Sequence, residues 1–355
     1  MKQDTFRRIV SGEKQGWVYP ALRGVLQGVS ILYGLGIRLR NLGYDTKLFR
    51  SYKAGVPVIS IGNITTGGTG KTPLVIWLCN YLQHRGVNCG ILTRGYKTRP
   101  GEMSDEPALL ASACEGTTVV VNPDRIAGAK KAIYRNGAKL LVMDDGFQHR
   151  RLFRNMDIVV MDARCPFGYG RMIPAGLLRE PLTSLSRASA VVITRANQVE
   201  PSVLGQLKAE IHRYAGEIPI TLTAHKFTGV VCGPKKILAL DDIKGKSVFA
   251  FCGIGNPDAF FDALRACPMK LVGTQVFDDH YTYSTEDMQA IANRAANAGA
   301  EAILCTQKDW VKSALLLPDK KEGPIFGYMA MELDFLDESD TIKSLIDSLM
   351  KPQND

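Results

Sequence analysis

Residues 57–78, "PVISIGNITTGGTGKTPLVIWL", decide how the chain is read. A β-branched apolar run, a glycine-rich turn and a second apolar segment follow one another, which predicts strand, phosphate-binding loop and helix. The turn departs from G-x-x-x-x-G-K-[ST] at its first position, where Thr65 stands for glycine. Gly67, Gly68 and Gly70 still supply the backbone freedom the turn needs. Pro73 has no N–H, a loss the first turn of a helix tolerates. In such a loop the backbone of Thr65, Thr66, Gly67, Gly68, Thr69 and Gly70 surrounds phosphate, Lys71 reaches the terminal phosphates and the Thr72 hydroxyl helps to hold Mg2+.

A motif this short arises by chance, so it needs its other half: an acid at the end of a buried strand. "LLVMDDGFQHRRL" supplies Asp144 and Asp145 after four apolar residues. Two aspartates after a strand are often a solvated turn or a helix cap. Coming after the loop at 65–72, with strands between, they read instead as partners of magnesium, and the pair of motifs implies ATP with Mg2+.

Working outward, short apolar runs recur at 57–63, 89–95, 117–122, 139–145, 157–163 and 190–196. They are apolar on both parities, as strands buried on two faces are. Helical patterns such as "PLVIWLCNYLQHRG" and "DRIAGAKKAIYRNG" lie between several of them. The fold class is therefore α/β: a P-loop-type α/β/α domain with a mainly parallel sheet. A second, smaller α/β unit follows, with strands at 247–255, 270–277 and 300–309. The Thr-rich extended stretch 220–232 connects the two, and residues 325–332 are suited to pair with it. The expected divisions are 1–53 as a basic, apolar N-terminal helical segment, 54–219 as the P-loop core and 220–232 as linker. Residues 233–324 form the second domain, and 325–355 a return strand and C-terminal helix.

Loops at the carboxyl ends of parallel strands face the ligand crevice. That rule points 62–72, 94–106, 122–125, 144–150 and 162–180 the same way. Arg94, Arg125, Arg171 and Arg179 in these loops are candidates to meet phosphate charge on a substrate. His280, in "FDDHYTYS", stands alone, and a lone histidine is more often structural or exposed.

The 355 residues suffice for about two domains. The net charge of +9 favours an acidic partner. Most of it sits at one end, where residues 1–53 hold ten Lys/Arg against three Asp/Glu. Residues 24–37 carry no charge, lie between Arg23 and Arg38, and lack the roughly 20 residues a spanning helix needs. Val25, Val29 and Leu32, with Leu22 and Leu26 adjacent, suggest one apolar face. That face either packs on its own domain or lies in a membrane interface, and the basic flanks favour the membrane. No secretory signal is recognisable. The eight cysteines are scattered without C-x-x-C spacing, which favours buried thiols over zinc or disulfides.

Taken together, "GNITTGGTGKTP", "LTRGY", "SDEP", "DDGFQHRRL", "PFGYGRMIPAGLLREP", "FCGIGNPDAFF", "FDDHYTY" and "TQKDWVK" resemble, in order, the tetraacyldisaccharide 4′-kinase (lipid A 4′-kinase) family. The resemblance covers residues 57–312 and is far more specific than the P-loop. It implies transfer of the ATP γ-phosphate to the 4′-hydroxyl of a tetraacylated glucosamine disaccharide 1-phosphate, giving lipid IVA in lipid A biosynthesis. The expected setting is peripheral, on the anionic cytoplasmic face of the bacterial inner membrane, with neither nucleic acid nor an obligate protein partner. It also implies a P-loop domain joined to a second α/β domain by a two-stranded linker. Asp105 matches the catalytic base and His280 the histidine that assists it from the other domain, so closure would complete the site. Thr72, Glu106, Asp144 and Asp145 match positions around magnesium and ATP, and Gln148 and His149 positions that meet substrate. Departures at Thr93, Lys97, Tyr169 and Gln307 touch loop details and no residue assigned to chemistry.

Two rivals remain. Switch ATPases that regulate a protein partner carry a signature lysine just before the paired glycines, and here that position is Thr66. A P-loop kinase for a soluble metabolite would leave the basic, apolar N-terminus unexplained.

Overall fold

The computed structural model describes residues 3–95, 105–233, 236–255, 257–279, 281–316, 323–337 and 340–350. They form two compact units. The first comprises residues 3–95, 113–225 and 333–350, the second residues 105–112 and 226–332.

The first unit opens with helices α1 (Gln3–Val10) and α2 (Val18–Asp45). Strands β1 (Val58–Gly62), β2 (Cys89–Thr93), β3 (Thr118–Val121), β4 (Leu140–Asp144), β5 (Met156–Asp162), β6 (Ala190–Thr194) and the start of β7 (Ile220–Gly233) build its sheet. The order is β3-β2-β4-β1-β5-β6-β7, parallel throughout. Every residue of β1, β2, β4 and β6 is buried, which is why these runs are apolar on both parities. Helices α3 (Lys71–His84), α5 (Arg125–Asn136), α6 (Pro201–Ala215) and α10 (Asp340–Met350) belong to the same unit, and α4 (Asp105–Ala113) precedes β3 in the chain. α5 is bounded as its sequence requires: Asp124 caps its first turn by accepting from the N–H groups of Ile126 and Ala127, and Gly137 ends it at a φ of +68°. α10 docks on α3, with Tyr81 and Arg85 both donating to the Asp347 carboxylate.

In the second unit β9 (Ser247–Cys252), β10 (Lys270–Val276), β11 (Ala302–Cys305) and β12 (Ile325–Phe335) pair in parallel in the order β10-β9-β11-β12. β12 lies beside the second half of β7, which also takes the antiparallel strand β8 (Lys236–Ala239). α7 (Pro257–Arg265), α8 (Thr285–Asn297) and α9 (Gln307–Ser313) complete the unit, and Phe251, Phe261, Leu264, Met288 and Ile291 lie in its cores.

Two details differ from the sequence reading. The stretch expected to be strand through residue 309 leaves the sheet at Cys305 and becomes α9, because the Thr306 side chain accepts from the Asp309 N–H and caps a helix there. Residues 105–112, expected inside a continuous 54–219 core, pack with the second unit. All eight cysteines are free thiols, five of them buried.

α2 is built inside out. Its buried residues are Ser30, Gly34, Asn41 and Gly43, while Val25, Val29, Leu32, Leu35, Leu39 and Leu42 are exposed. The inward residues find polar partners: the Ser30 hydroxyl donates to the Met172 carbonyl at 2.8 Å, and Asn41 donates to Glu180 at 2.7 Å. Glu180 is fully buried and also receives Arg40 and the Ser184 hydroxyl, with Arg187 3.7 Å away. This carboxylate ties α2 to the segment that backs the phosphate loop. Glu180→Gln is expected to lower unfolding free energy by about 1–3 kcal/mol, since it leaves buried donors short of a charged acceptor; urea denaturation with an unchanged m-value measures it.

Candidate functional site

The phosphate loop leaves β1 at the centre of the first unit's sheet, between β4 and β5, where the strand order reverses. Asn63 follows the strand and is buried. Its side-chain amide donates to the Thr69 hydroxyl at 3.2 Å, its Oδ1 accepts from Arg179, and its carbonyl accepts from Gln148 at 2.7 Å. The loop is clamped from outside by residues 177–179: the Thr66 N–H donates to the Leu177 carbonyl and the Arg179 N–H to the Ile64 carbonyl, both at 2.7 Å. From behind, the Thr194 hydroxyl donates to the Thr69 carbonyl at 2.8 Å. Thr65 and Thr69 are buried, whereas Thr66, Gly67, Gly68 and Gly70 are at least partly open. Thr65 therefore serves as a wall of the loop, bridged to Leu178.

Gly70 is the residue before α3 and takes a φ of +87°. A Cβ there would meet His225 Nε2 at 3.1 Å and Thr194 Cγ2 at 3.2 Å, so glycine is required by both torsion and space. α3 then begins at Lys71 and aims its unpaired first-turn N–H groups at the loop.

Charge converges on Asp145, which sits at a φ of +52° just past β4. Lys71 Nζ lies 3.5 Å from its carboxylate, and Arg179 donates to both carboxylate oxygens at 2.9 and 3.0 Å. Burial pushes the Asp145 carboxyl up, but Lys71 and Arg179 outweigh it and hold the group below its ordinary value. Asp144, the last residue of β4, is buried at 7 % exposure.

The other expected residues divide. Arg125 is buried and spent on main chain, donating to the Asn122 and Asp144 carbonyls at 2.8 and 3.3 Å. It supports Asp144 from behind. Arg94 and Arg171 are exposed. His149 is half-buried; burial, then the charge of Arg125, pull its ring down to about 4, so it is neutral near pH 7. Thr72 is half-buried in the first turn of α3. Glu106 is exposed in α4, and Asp105 opens that helix with its side chain outside the described residues; His280 also lies outside them.

Four residues at this end of the sheet were not singled out from sequence: Asn63, Asp162, Arg195 and His225. Asp162 ends β5 as Asp144 ends β4, so the same strand-end signal was present. Arg195, at a φ of +55°, donates to the Gly68 carbonyl at 3.2 Å and to Asp162 at 2.7 Å. Burial, then the charge of Arg195, lower His225 to about 4, and its Nε2 has no hydrogen-bond partner among the described residues. A histidine buried neutral stabilises the fold fully above its ordinary pKa of about 6.5, and loses that contribution as pH falls towards 4 while the unfolded chain takes up the proton. His225→Leu is expected to flatten the decline of thermal stability between pH 6.5 and 4; an unchanged slope by scanning calorimetry would count against this.

Residues 22–351 match the family model for tetraacyldisaccharide-1-P 4′-kinase. The tetraacyldisaccharide 4′-kinase of Geobacter sulfurreducens is 37 % identical over 325 residues, covering 86 % of this chain and 89 % of the relative. The one from Desulfatibacillum aliphaticivorans is 36 % identical over 315 residues, covering 81 % and 83 %. A crystal structure of LpxK from Aquifex aeolicus in complex with ATP superposes with a TM-score of 0.74 at 28 % identity, covering 92 % of this chain and 99 % of that one. With the family model spanning nearly the whole chain, and the P-loop and its strand-end acids in place, this protein belongs to the tetraacyldisaccharide-1-phosphate 4′-kinase family.

Proposed function

We propose that the chain transfers the γ-phosphate of ATP to the 4′-hydroxyl of a tetraacylated glucosamine disaccharide 1-phosphate, a step of lipid A biosynthesis. The observation that carries this reading is the convergence of Lys71 and Arg179 on Asp145 beside the phosphate loop, in a chain of this family. Phosphoryl transfer asks a protein mainly for positioning and for charge where the transferring group will sit. The loop amides and Lys71 supply both. Arg179 holds Asp145, and through Asn63 it also holds the loop. Asp105 is assigned as the base that takes the proton of the incoming hydroxyl, with His280 orienting it. Arg94 and Arg171, both exposed, are available to the anionic acceptor, as is His149, while Gln148 holds the loop through the Asn63 carbonyl.

The oxygen donors near the loop suit magnesium. Among the described residues no three acidic, His or Cys side chains form a ready-made metal cluster. Mg2+ in phosphoryl-transfer sites needs only one or two protein oxygens, taking the rest from phosphates and water. The buried carboxylate of Asp144 and the Thr72 hydroxyl are assigned to hold it, with Asp145 and Glu106 as further candidates. When bound, the ion supplies neutralisation of phosphate charge.

α2 supports a membrane-surface setting. No helix among the described residues is long and apolar enough to cross a membrane. The exposed row Val25, Val29, Leu32, Leu35, Leu39 and Leu42 instead suits a helix lying in the interface, with Arg23 and Arg38 on anionic headgroups. We assign the protein to the cytoplasmic face of the inner membrane. The double variant Leu32→Asp, Leu35→Asp is expected to lose at least about tenfold in partitioning to anionic vesicles, from the apolar burial forgone. Unchanged co-sedimentation would remove this surface as the membrane contact.

Radiolabelled ATP tests the reaction against its rivals. Label should pass to the lipid A disaccharide precursor in detergent; hydrolysis without transfer would favour a switch ATPase, and transfer only to soluble sugars a metabolite kinase.

A further inference from the structure

The phosphate loop has a cationic neighbour ahead of the region that the family model matches. α1 (Gln3–Val10) precedes residue 22, where the match begins. It is nevertheless docked: Ile9 and Val10 are 3 % and 6 % exposed. The connection to α2 is held by several bonds. The Ser11 and Lys14 N–H groups donate to the Arg7 and Arg8 carbonyls, Arg23 donates to the Lys14 carbonyl, and Lys14 lies over the Tyr19 ring. One turn before Val10, Arg7 extends to the loop. A Cβ built on Gly67 would lie 2.7 Å from Arg7 Nη2. Gly67 has a φ of +108°, a torsion that favours glycine, and the Arg7 guanidinium lies against it.

Arg195 is bonded to the Gly68 carbonyl of the same turn and paired at 2.7 Å with Asp162, a carboxylate that Arg164 shares. Arg7 is close enough to depress the proton affinity of Arg195 further, after burial and the other charges around it. Two guanidinium groups at one exposed turn of a phosphate loop repel each other, and a bound polyphosphate relieves that repulsion. The loop also has a gap in its cation set at this place. Thr66 occupies the position where switch ATPases carry a signature lysine, and Lys71 approaches from the helix side of the loop.

We infer that Arg7 is a phosphate-binding residue of this site, contacting the γ-phosphate of bound ATP from the N-terminal helix. A guanidinium supplied in cis neutralises charge that grows on the transferred group, and its planar fork binds phosphate oxygens in pairs. The inference rests on the reading of the loop as an ATP site, and the test separates the two.

Titration calorimetry of the full chain with ATP and with ADP, without acceptor, reads γ-phosphate recognition directly. ATP binding by the unaltered protein tests the ATP-site reading alone. Arg7→Ala is expected to weaken ATP about tenfold and ADP less than about twofold, with kcat for transfer lowered at least about a hundredfold. Arg7→Lys should recover part of the ATP affinity. Arg8→Ala, an exposed change on the same helix, should leave both affinities as they are, and all three variants should melt where the unaltered protein does. Equal weakening of ATP and ADP by Arg7→Ala, or ATP affinity and kcat both within about twofold of the unaltered protein, would overturn the inference.

Discussion

Asp105→Ala is expected to lower kcat by about two to four orders of magnitude while the KM for ATP stays within about threefold. A sugar hydroxyl is a poor nucleophile while it keeps its proton, and a positioned carboxylate removes that proton as the bond to phosphorus forms. Asp105 heads α4, separate in sequence from the loop that grips the nucleotide, so its removal spares nucleotide binding. A fall in kcat with unchanged KM is the signature of an interaction made in the transition state. Asp105→Asn should behave like alanine, because the amide keeps the shape and loses the basicity. Near-normal turnover of either variant would remove Asp105 as the base.

Lys71→Ala is expected to cost about 10²–10³ in kcat and to weaken ATP binding as well. Lys71 is only 17 % exposed and is poised 3.5 Å from Asp145, which it shares with Arg179. That sharing fixes the ammonium in place before any nucleotide arrives, so little reorganisation is needed during transfer. It also explains why Asp145 stays ionised although burial opposes it. Arginine is not an adequate replacement: its bulkier planar head cannot occupy the place of a compact ammonium between loop and carboxylate. Lys71→Ala within about tenfold of normal kcat would show that the loop amides and Arg179 suffice.

The parallel sheet was legible because strands buried on both faces must be apolar on both parities, and β1, β2, β4 and β6 are buried throughout. The phosphate loop and the Asp144–Asp145 pair were legible because their chemistry demands particular residues at the ends of strands. What was hidden depends on partners far along the chain. Nothing near Asn41 in sequence says that it meets Glu180, or that Ser30 meets Met172, so the basic flanks could favour an outward apolar face but not say which small and polar residues α2 turns inward. Arg125 and Gln148 were chosen for the right chemistry, yet the fold uses both on main-chain carbonyls. Asn63 and Thr65 illustrate the converse. Neither is a catalytic type of residue, and both shape the loop: Asn63 by reaching three neighbours, Thr65 by filling the wall that Leu178 pairs with.

The most direct test of the central claim is the position of the phosphate in the product. After incubation of the protein with ATP, magnesium and the tetraacylated glucosamine disaccharide 1-phosphate, phosphorus–proton correlation NMR of the extracted lipid should show one new phosphate coupled to the 4′ proton of the distal sugar. A phosphate at any other position, or recovery of the disaccharide unchanged while ADP accumulates, would contradict the account.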